Sequence, residues 1–393
     1  MVWLALATGC SSGSAGAGTM DGSAQSDARP TVDAPIGGST GTPTSVSVGA
    51  GFACAAFTDG RVECWGENSQ GQLGDGTATY STKPVRATAL THGPVTAVSC
   101  GNEFTCVLLA PKGTVECWGL NASGQLGDGT TMNTKTPVAA MGLTGVKAIA
   151  ARGLHTCALL ADGTVSCWGM TTNASGGTSR VTVPTPVPGV TGATAIATGE
   201  DDACALLADA TVACWGDGTS GALGNGSTTS SATPVPVPNV AGATAISAGE
   251  SYACAVLGDG TVTCWGNDDA GTLGFRIDQL YSTTAVAVPG LTGATTIAAG
   301  YDHACALLAN GTVSCWGDRF NGAVGDGRIE QSHASPSPVV QLSGVAQIDA
   351  NGASSCAVLA DSKAILCWGM NSFGQLGNGT TDSSGTPVMV QVL

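Results

Sequence analysis

From residue 44 onward, short apolar runs alternate with polar and glycine-rich stretches, and none of them sustains a helical period. The segment 155–169, HTCALLADGTVSCWG, shows the pattern: a run CALLA, a turn carrying Asp-Gly and a second run TVSCW predict a β-hairpin. The segment 303–317, HACALLANGTVSCWG, repeats it almost letter for letter. Upstream of each hairpin lies another apolar run, such as ATAIATG or ATAISAG. Downstream, a glycine-rich loop leads to a Pro-Val strand such as TPVPV. Each unit of about fifty residues therefore holds four short strands.

The unit recurs seven times, marked by the triplet Cys-Trp-Gly at Trp65, Trp118, Trp168, Trp215, Trp265, Trp316 and Trp368, with spacings of 53, 50, 47, 50, 51 and 52. A four-stranded unit cannot bury both faces alone, so neighbouring units must stack. The predicted fold is all-β: a seven-bladed β-propeller of four-stranded blades, with closure removing long exposed edges. The strand-like TSVSV at 44–48 and the closing TPVMVQVL at 386–393 are expected to pair in one blade and clasp the ring. Such a body is expected to be a monomer.

Composition refines this picture. Charged residues make up 10% of the chain against a usual level of about 25%, while 59 glycines suit a protein built on turns. The formal net charge is −15, and the 13 lysines and arginines are scattered singly. Nucleic acid is thereby excluded as a partner, as is an anionic membrane surface. No apolar stretch reaches the roughly 18 residues of a membrane-spanning helix.

Residues 1–10, MVWLALATGC, form a short apolar run ending in small residues before a cysteine. This resembles a bacterial lipoprotein signal, in which Cys10 would be lipidated and provide the only membrane attachment; an ordinary cleaved signal with Cys10 incidental is the alternative. Residues 11–43 are rich in Gly, Ser, Ala and Pro and read as a flexible linker, with the propeller at 44–393. The chain is accordingly expected to be exported, either to the outer cell envelope or as a secreted protein.

Fourteen of the sixteen cysteines bracket the hairpin turns: Cys54 and Cys64, Cys106 and Cys117, Cys157 and Cys167, Cys204 and Cys214, Cys254 and Cys264, Cys305 and Cys315, Cys356 and Cys367. A turn centred between partners sets them opposite one another on adjacent strands, within disulfide reach. Structural zinc instead clusters cysteines as C-x2-C or C-x4-C, a spacing not found here. Cys100 occupies the slot filled elsewhere by Val48, Ala151, Thr198, Ala248, Ala299 and Ala350, and is expected to be a buried free thiol. The repeated Asp-Gly pairs are explained by turn chemistry, without the D-x-[DN]-x-[DN]-G-x5-E loop of a calcium site.

After the tryptophan come GENSQGQLGDGT (66–77), GLNASGQLGDGT (119–130) and GMNSFGQLGNGT (369–380). With the upstream Gly-x-x-His and the DGTV turn, these residues resemble the regulator of chromosome condensation repeat family, whose members form seven-bladed propellers. The resemblance covers residues 44–393. Units four to six reduce the motif to GALG (221–224), GTLG (271–274) and GAVG (322–325), and unit three replaces it with NASGGT (173–178). Histidine fills the Gly-x-x-His position only at His155 and His303. The paired glycines of kelch propellers are absent. The family's nuclear exchange-factor activity does not suit an acidic, exported chain. Secreted bacterial members, among them proteinaceous β-lactamase inhibitors, are closer in setting, and they imply protein binding.

No catalytic set is visible: the four histidines are His92, His155, His303 and His333, with neither G-x-S-x-G nor HExxH. No enzyme activity, cofactor or metal is expected. The tryptophans read as packing between blades rather than as a ligand ladder. Function on a repeat scaffold should lie where units disagree, in the loop before each first cysteine: AGF, NEF, GLH, EDD, ESY, YDH and GAS. Phe52, Glu103, Phe104, His155, Glu200, Asp201, Asp202, Glu250, Tyr252, Tyr301, Asp302 and His303 are expected to ring one face and bind a protein partner, with carbohydrate as the alternative ligand. The loops 275–284 and 326–335, with Arg276 and Arg328, form a second candidate surface.

Overall fold

The computed structural model describes residues 41–90, 93–172, 176–275, 280–329 and 333–393; Cys10, His92 and Arg276 lie outside the described residues. It holds seven four-stranded antiparallel sheets, at 43–86, 95–139, 146–186, 193–236, 243–287, 294–338 and 345–389. We number these blades 1 to 7. In blade 1 the strands are Pro43–Val48, Phe52–Phe57, Val62–Gly66 and Ser81–Arg86, running from the inner strand to the outer. Each inner strand touches those of its two neighbours, blade 7 against blade 1 included, so the ring is shut and the inner strands line a channel.

Alternation explains why the repeat folds this way. Each Cys pair sits in direct register across the second and third strands, as Cys54↔Cys64 and Cys204↔Cys214 do, and all seven pairs are bonded within their own blades. Such disulfides fit an oxidising compartment outside the cytosol. At the hairpin turns the carboxylate of Asp162 accepts the Thr164 N–H at 3.0 Å, and Asp209 and Asp259 serve Thr211 and Thr261 alike. Cys100 is buried and free, its thiol pushed up by burial.

Between blades, the indole N–H of six of the seven Cys-Trp-Gly tryptophans donates to a main-chain carbonyl of the preceding blade's glycine loop. Trp118 reaches Gln72 O at 2.8 Å, Trp168 reaches Gln125 O at 2.8 Å, and Trp65 returns to Gln375 O of blade 7 at 2.8 Å. The next residue of each loop, Leu73, Leu126, Leu223, Leu273, Val324 or Leu376, is wholly buried between blades. The glycine that follows lets the loop approach: at Gly74 (φ +70°) a Cβ would lie 2.6 Å from Trp118 Nε1. The tryptophans are packing residues.

The expected clasp by shared strands is corrected. The terminal strands lie in different sheets, Pro43–Val48 against Phe52–Phe57 and Ser384–Met389 against Ile365–Gly369. The chain carries seven complete four-strand units, so no blade needs a borrowed strand. The seam is instead an ordinary blade interface. Val46, Val48 and Trp65 pack with Cys356, Leu376 and Val390, and the N–H groups of Val46 and Val48 donate to Gln347 Oε1 (3.2 Å) and Asp349 Oδ2 (2.7 Å).

Candidate functional site

One end of the ring carries the varied loops. The turn from inner to second strand and the loop leaving the third strand emerge together there, as the Glu67 N–H bond to Gly51 O (2.9 Å) shows. The predicted residues divide sharply at this end. Asp201 and Glu250 are exposed, and Glu103, Glu200, Tyr301 and Asp302 are partly exposed.

Phe52, Phe104, His155, Asp202, Tyr252 and His303 are buried, which corrects their expected place on the surface. Each stands two residues before a half-cystine and shares its inward face, because side chains alternate along a strand. They form a ring beneath the loops: Tyr252 OH donates to His303 O at 2.5 Å, and His303 Nε2 lies 2.8 Å from Ser355 Oγ of the next blade. Burial keeps both imidazoles neutral, with His155 lowered to about 4 and His303 to about 3.

Above this ring the channel mouth is bridged. From blades 2, 4 and 6, Tyr301 OH donates to Asn102 Oδ1 at 2.7 Å, and Asn102 Nδ2 donates to Glu200 Oε1 at 2.8 Å. The same three residues give their backbone N–H groups to Gly352 O, Gly153 O and Gly249 O of the following blades. Arg152 lines the channel and donates to Ala350 O at 2.7 Å and to Ala299 O. The channel is a polar cavity of about 220 Å³ that also carries Ser47, Ser99, Cys100, Thr198, Ser247 and Asp349.

Outside the mouth the face is acidic. Burial raises the carboxyls of Glu103, Glu200, Asp201 and Asp302, and crowding adds to it: Glu67 beside Glu103, Asp201 and Glu250 beside Glu200, Asp217 beside Asp201, and Glu250, Asp318 and Asp269 beside Asp302. Arg319, two residues after the sixth Cys-Trp-Gly triplet, pairs with Asp326 at 2.5 Å. Two aromatics that sequence reasoning missed stand in this field, Phe320 (65% exposed) and Phe373 (38%). Both sit in glycine loops read only as family motif. Phe320 also lines a small cavity with Tyr301, Asp302 and Asp318.

A second cavity, of about 150 Å³, opens between blades 3 and 4, lined by Met170, Thr171, Val181, Pro186, Asp201 and Trp215 among others. Of the second candidate surface, Arg328 is exposed and its N–H bonds Asp326 Oδ1 at 3.2 Å. Among the described residues, no three His, Cys, Asp or Glu side chains are grouped to hold a metal ion, and no helix is long and apolar enough to cross a membrane.

A profile of the regulator of chromosome condensation (RCC1) repeat matches residues 59–108, 112–159, 209–256 and 364–393. A second profile of the same repeat matches 44–72, 95–125, 146–176, 243–272 and 294–323, and together they span more than half of the chain. The ultraviolet-B receptor UVR8 of Arabidopsis thaliana is 32% identical over 130 residues, 33% of this chain and 30% of that protein. The human E3 ubiquitin-protein ligase HERC2 is 35% identical over 113 residues, 28% of this chain and 2% of its own length. The chain thus matches under a third of either relative. Among solved structures, Prp20p of Saccharomyces cerevisiae superposes with a TM-score of 0.75 at 21% identity, covering 84% of this chain and 85% of that one. Human WBSCR16 gives 0.75 at 21%, covering 84% and 93%. These two share the fold.

Proposed function

Since the chain belongs to the regulator of chromosome condensation (RCC1) repeat family, we propose that it is an exported propeller scaffold, secreted or anchored to the envelope through Cys10, that binds a basic protein partner through its acidic loop face. The observation that carries this reading is the company Phe320 and Phe373 keep: exposed aromatic rings among carboxylates crowded enough to raise one another's proton affinity. Aromatics supply anchoring area, and a single-signed field draws an oppositely charged partner and sets its orientation.

The bridged mouth supports contact across the face rather than entry into the channel, because the hydrogen bonds from Tyr301 to Asn102 and from Asn102 to Glu200 span it. Binding to Gsp1p and histones is described for the similar yeast Prp20p. Seven disulfides and the apolar segment ending at Cys10 support export. The role is binding rather than catalysis.

The test is capture from secreted and envelope fractions by the native protein, by F320A/F373A and by E250K/D302K. Loss of the captured protein with both variants, and weakening as salt rises, are expected. Undiminished capture by both overturns the reading.

A further inference from the structure

Six of the seven blade junctions are filled in one way, and the junction between blades 3 and 4 is not. At the six, a loop residue gives its carbonyl to the next tryptophan's indole N–H at 2.8–2.9 Å, and the following aliphatic side chain is wholly buried. Among the described residues, blade 3 shows no such loop. Its third and outer strands, Val165–Thr172 and Thr178–Pro186, run on in register as far as Thr172↔Thr178. Among the described residues Trp215 of blade 4 therefore has no acceptor, and it is 7% exposed where the other six are fully covered. The hydrophobic cluster at this junction contains no counterpart of Leu73 or Leu126.

What remains is the cavity of about 150 Å³ beside Trp215. A cavity of that size has room for a benzene-sized group, and its lining is mixed, apolar on the blade 3 side and polar where His155, Asp201 and Asp202 stand. Its walls from blade 3 are Met170, Val181, Pro186 and Val187, and Ala232 closes it from blade 4. Two of its lining residues carry buried polar atoms without a partner, His155 Nδ1 and Asp202 Oδ2, and exposed Asp201 lies beside them.

We propose that this slot receives from a partner polypeptide what the other six junctions receive from their own loops: a branched aliphatic side chain, with an adjacent main-chain carbonyl accepting the Trp215 indole N–H. The ligand class is a peptide segment with a leucine-like residue next to basic ones, which Asp201 and Asp217 favour. His155 Nδ1 and Asp202 Oδ2 offer further positions for the segment's N–H groups. This rests on the reading of the loop face as a protein-binding surface and names one anchor within it.

The probe is a lysine-flanked Gly-Gln-Leu-Gly peptide, the sequence of residues 71–74, titrated into the full chain labelled with ¹⁵N at its eight tryptophans. One indole N–H resonance, absent from W215F, is expected to move. W215F should bind about tenfold more weakly, the value of one hydrogen bond. Ala232→Leu, which fills the slot and keeps the indole, should abolish binding while the other indole signals stay in place. A peptide with glycine for leucine should bind at least about tenfold more weakly.

A stationary Trp215 resonance at millimolar peptide overturns the proposal, as does equal binding of the glycine peptide. So does a methyl glycoside that moves this resonance when the peptide does not. If F320A/F373A abolishes partner capture while the Trp215 resonance ignores the peptide, the slot alone is wrong. If neither responds, the acidic face falls too.

Discussion

Asp349 Oδ2 accepts the backbone N–H of Val48 at 2.7 Å, tying the last blade to the first strand of the ring. Ser47 does the same for Cys100 at 3.1 Å, Ser99 for Ala151 at 2.9 Å and Ser247 for Ala299 at 3.0 Å. A hydroxyl suffices where covalent continuity already holds two blades together. The seam joins blades that are adjacent in space and far apart in sequence, and there a carboxylate takes the hydroxyl's place. Asp349→Ala is expected to cost about 1–3 kcal/mol, more than Ser99→Ala, because bonds to charged acceptors are stronger. Chemical denaturation of the two variants checks it; equal costs would contradict the seam argument.

Stability should pass through a maximum as pH changes. Burial raises Asp202 well above the usual carboxylate range, with Asp201 and Asp217 adding to it, and burial also raises Glu200, Asp302 and Asp349. The folded chain holds these protons more tightly than the unfolded one, so stability declines as pH rises through and above the ordinary carboxylate range. His155 and His303 act in the opposite sense. Their folded values of about 4 and 3 lie below the unfolded value of 6.5, so stability declines as pH falls below 6.5. In thermal melts from pH 4 to 8, Asp202→Asn should lift the neutral limb and His303→Gln the acidic one. A variant that moves both limbs equally would show that these groups are not the cause.

Ala210 occupies the hairpin turn of blade 4 with φ +63°, where Gly163 and Gly260 serve at +80° and +78°. A side chain in the left-handed region costs energy that glycine does not. Ala210→Gly should therefore stabilise the protein by about 1 kcal/mol, read as a shift in denaturation midpoint. Gly163→Ala should do the reverse.

Every disulfide closes a hairpin within one blade, at a sequence separation of 10 or 11. Removing one pair, as in C204A/C214A, is expected to cost about 2–3 kcal/mol. Peptide mapping of the unreduced protein should recover the seven intra-blade links and a free Cys100. Any link between blades would refute the assignment.

The blades were legible because each repeat contains its own evidence: Cys54, its turn and Cys64 fix one hairpin without help from the rest of the ring. Which side chains face outward was also present and was misread. Phe52 and Cys54 are two apart on one strand, so a buried disulfide implied a buried ring. Replacing Tyr252 accordingly reports on packing, since its hydroxyl is spent on His303 O. The ring's closure depends on phase, and seven full sets of strands rule out a shared one only when every strand is counted. Phe320 and Phe373 were hidden by the regularity of their loops. The contacts among Asn102, Glu200 and Tyr301 join positions about a hundred or two hundred residues apart, beyond the reach of any local pattern.

The backbone bonds at the channel mouth run from Asn102 to Gly153, from Glu200 to Gly249 and from Tyr301 to Gly352, coupling blades 2 with 3, 4 with 5 and 6 with 7. Seven is odd, so this coupling leaves a bachelor, and it is the sector in which the polypeptide enters the ring. At the mouth an apparently sevenfold object is therefore tied as three doublets, and the remaining sector depends on the Asp349 carboxylate on one side and the Ser47 hydroxyl on the other.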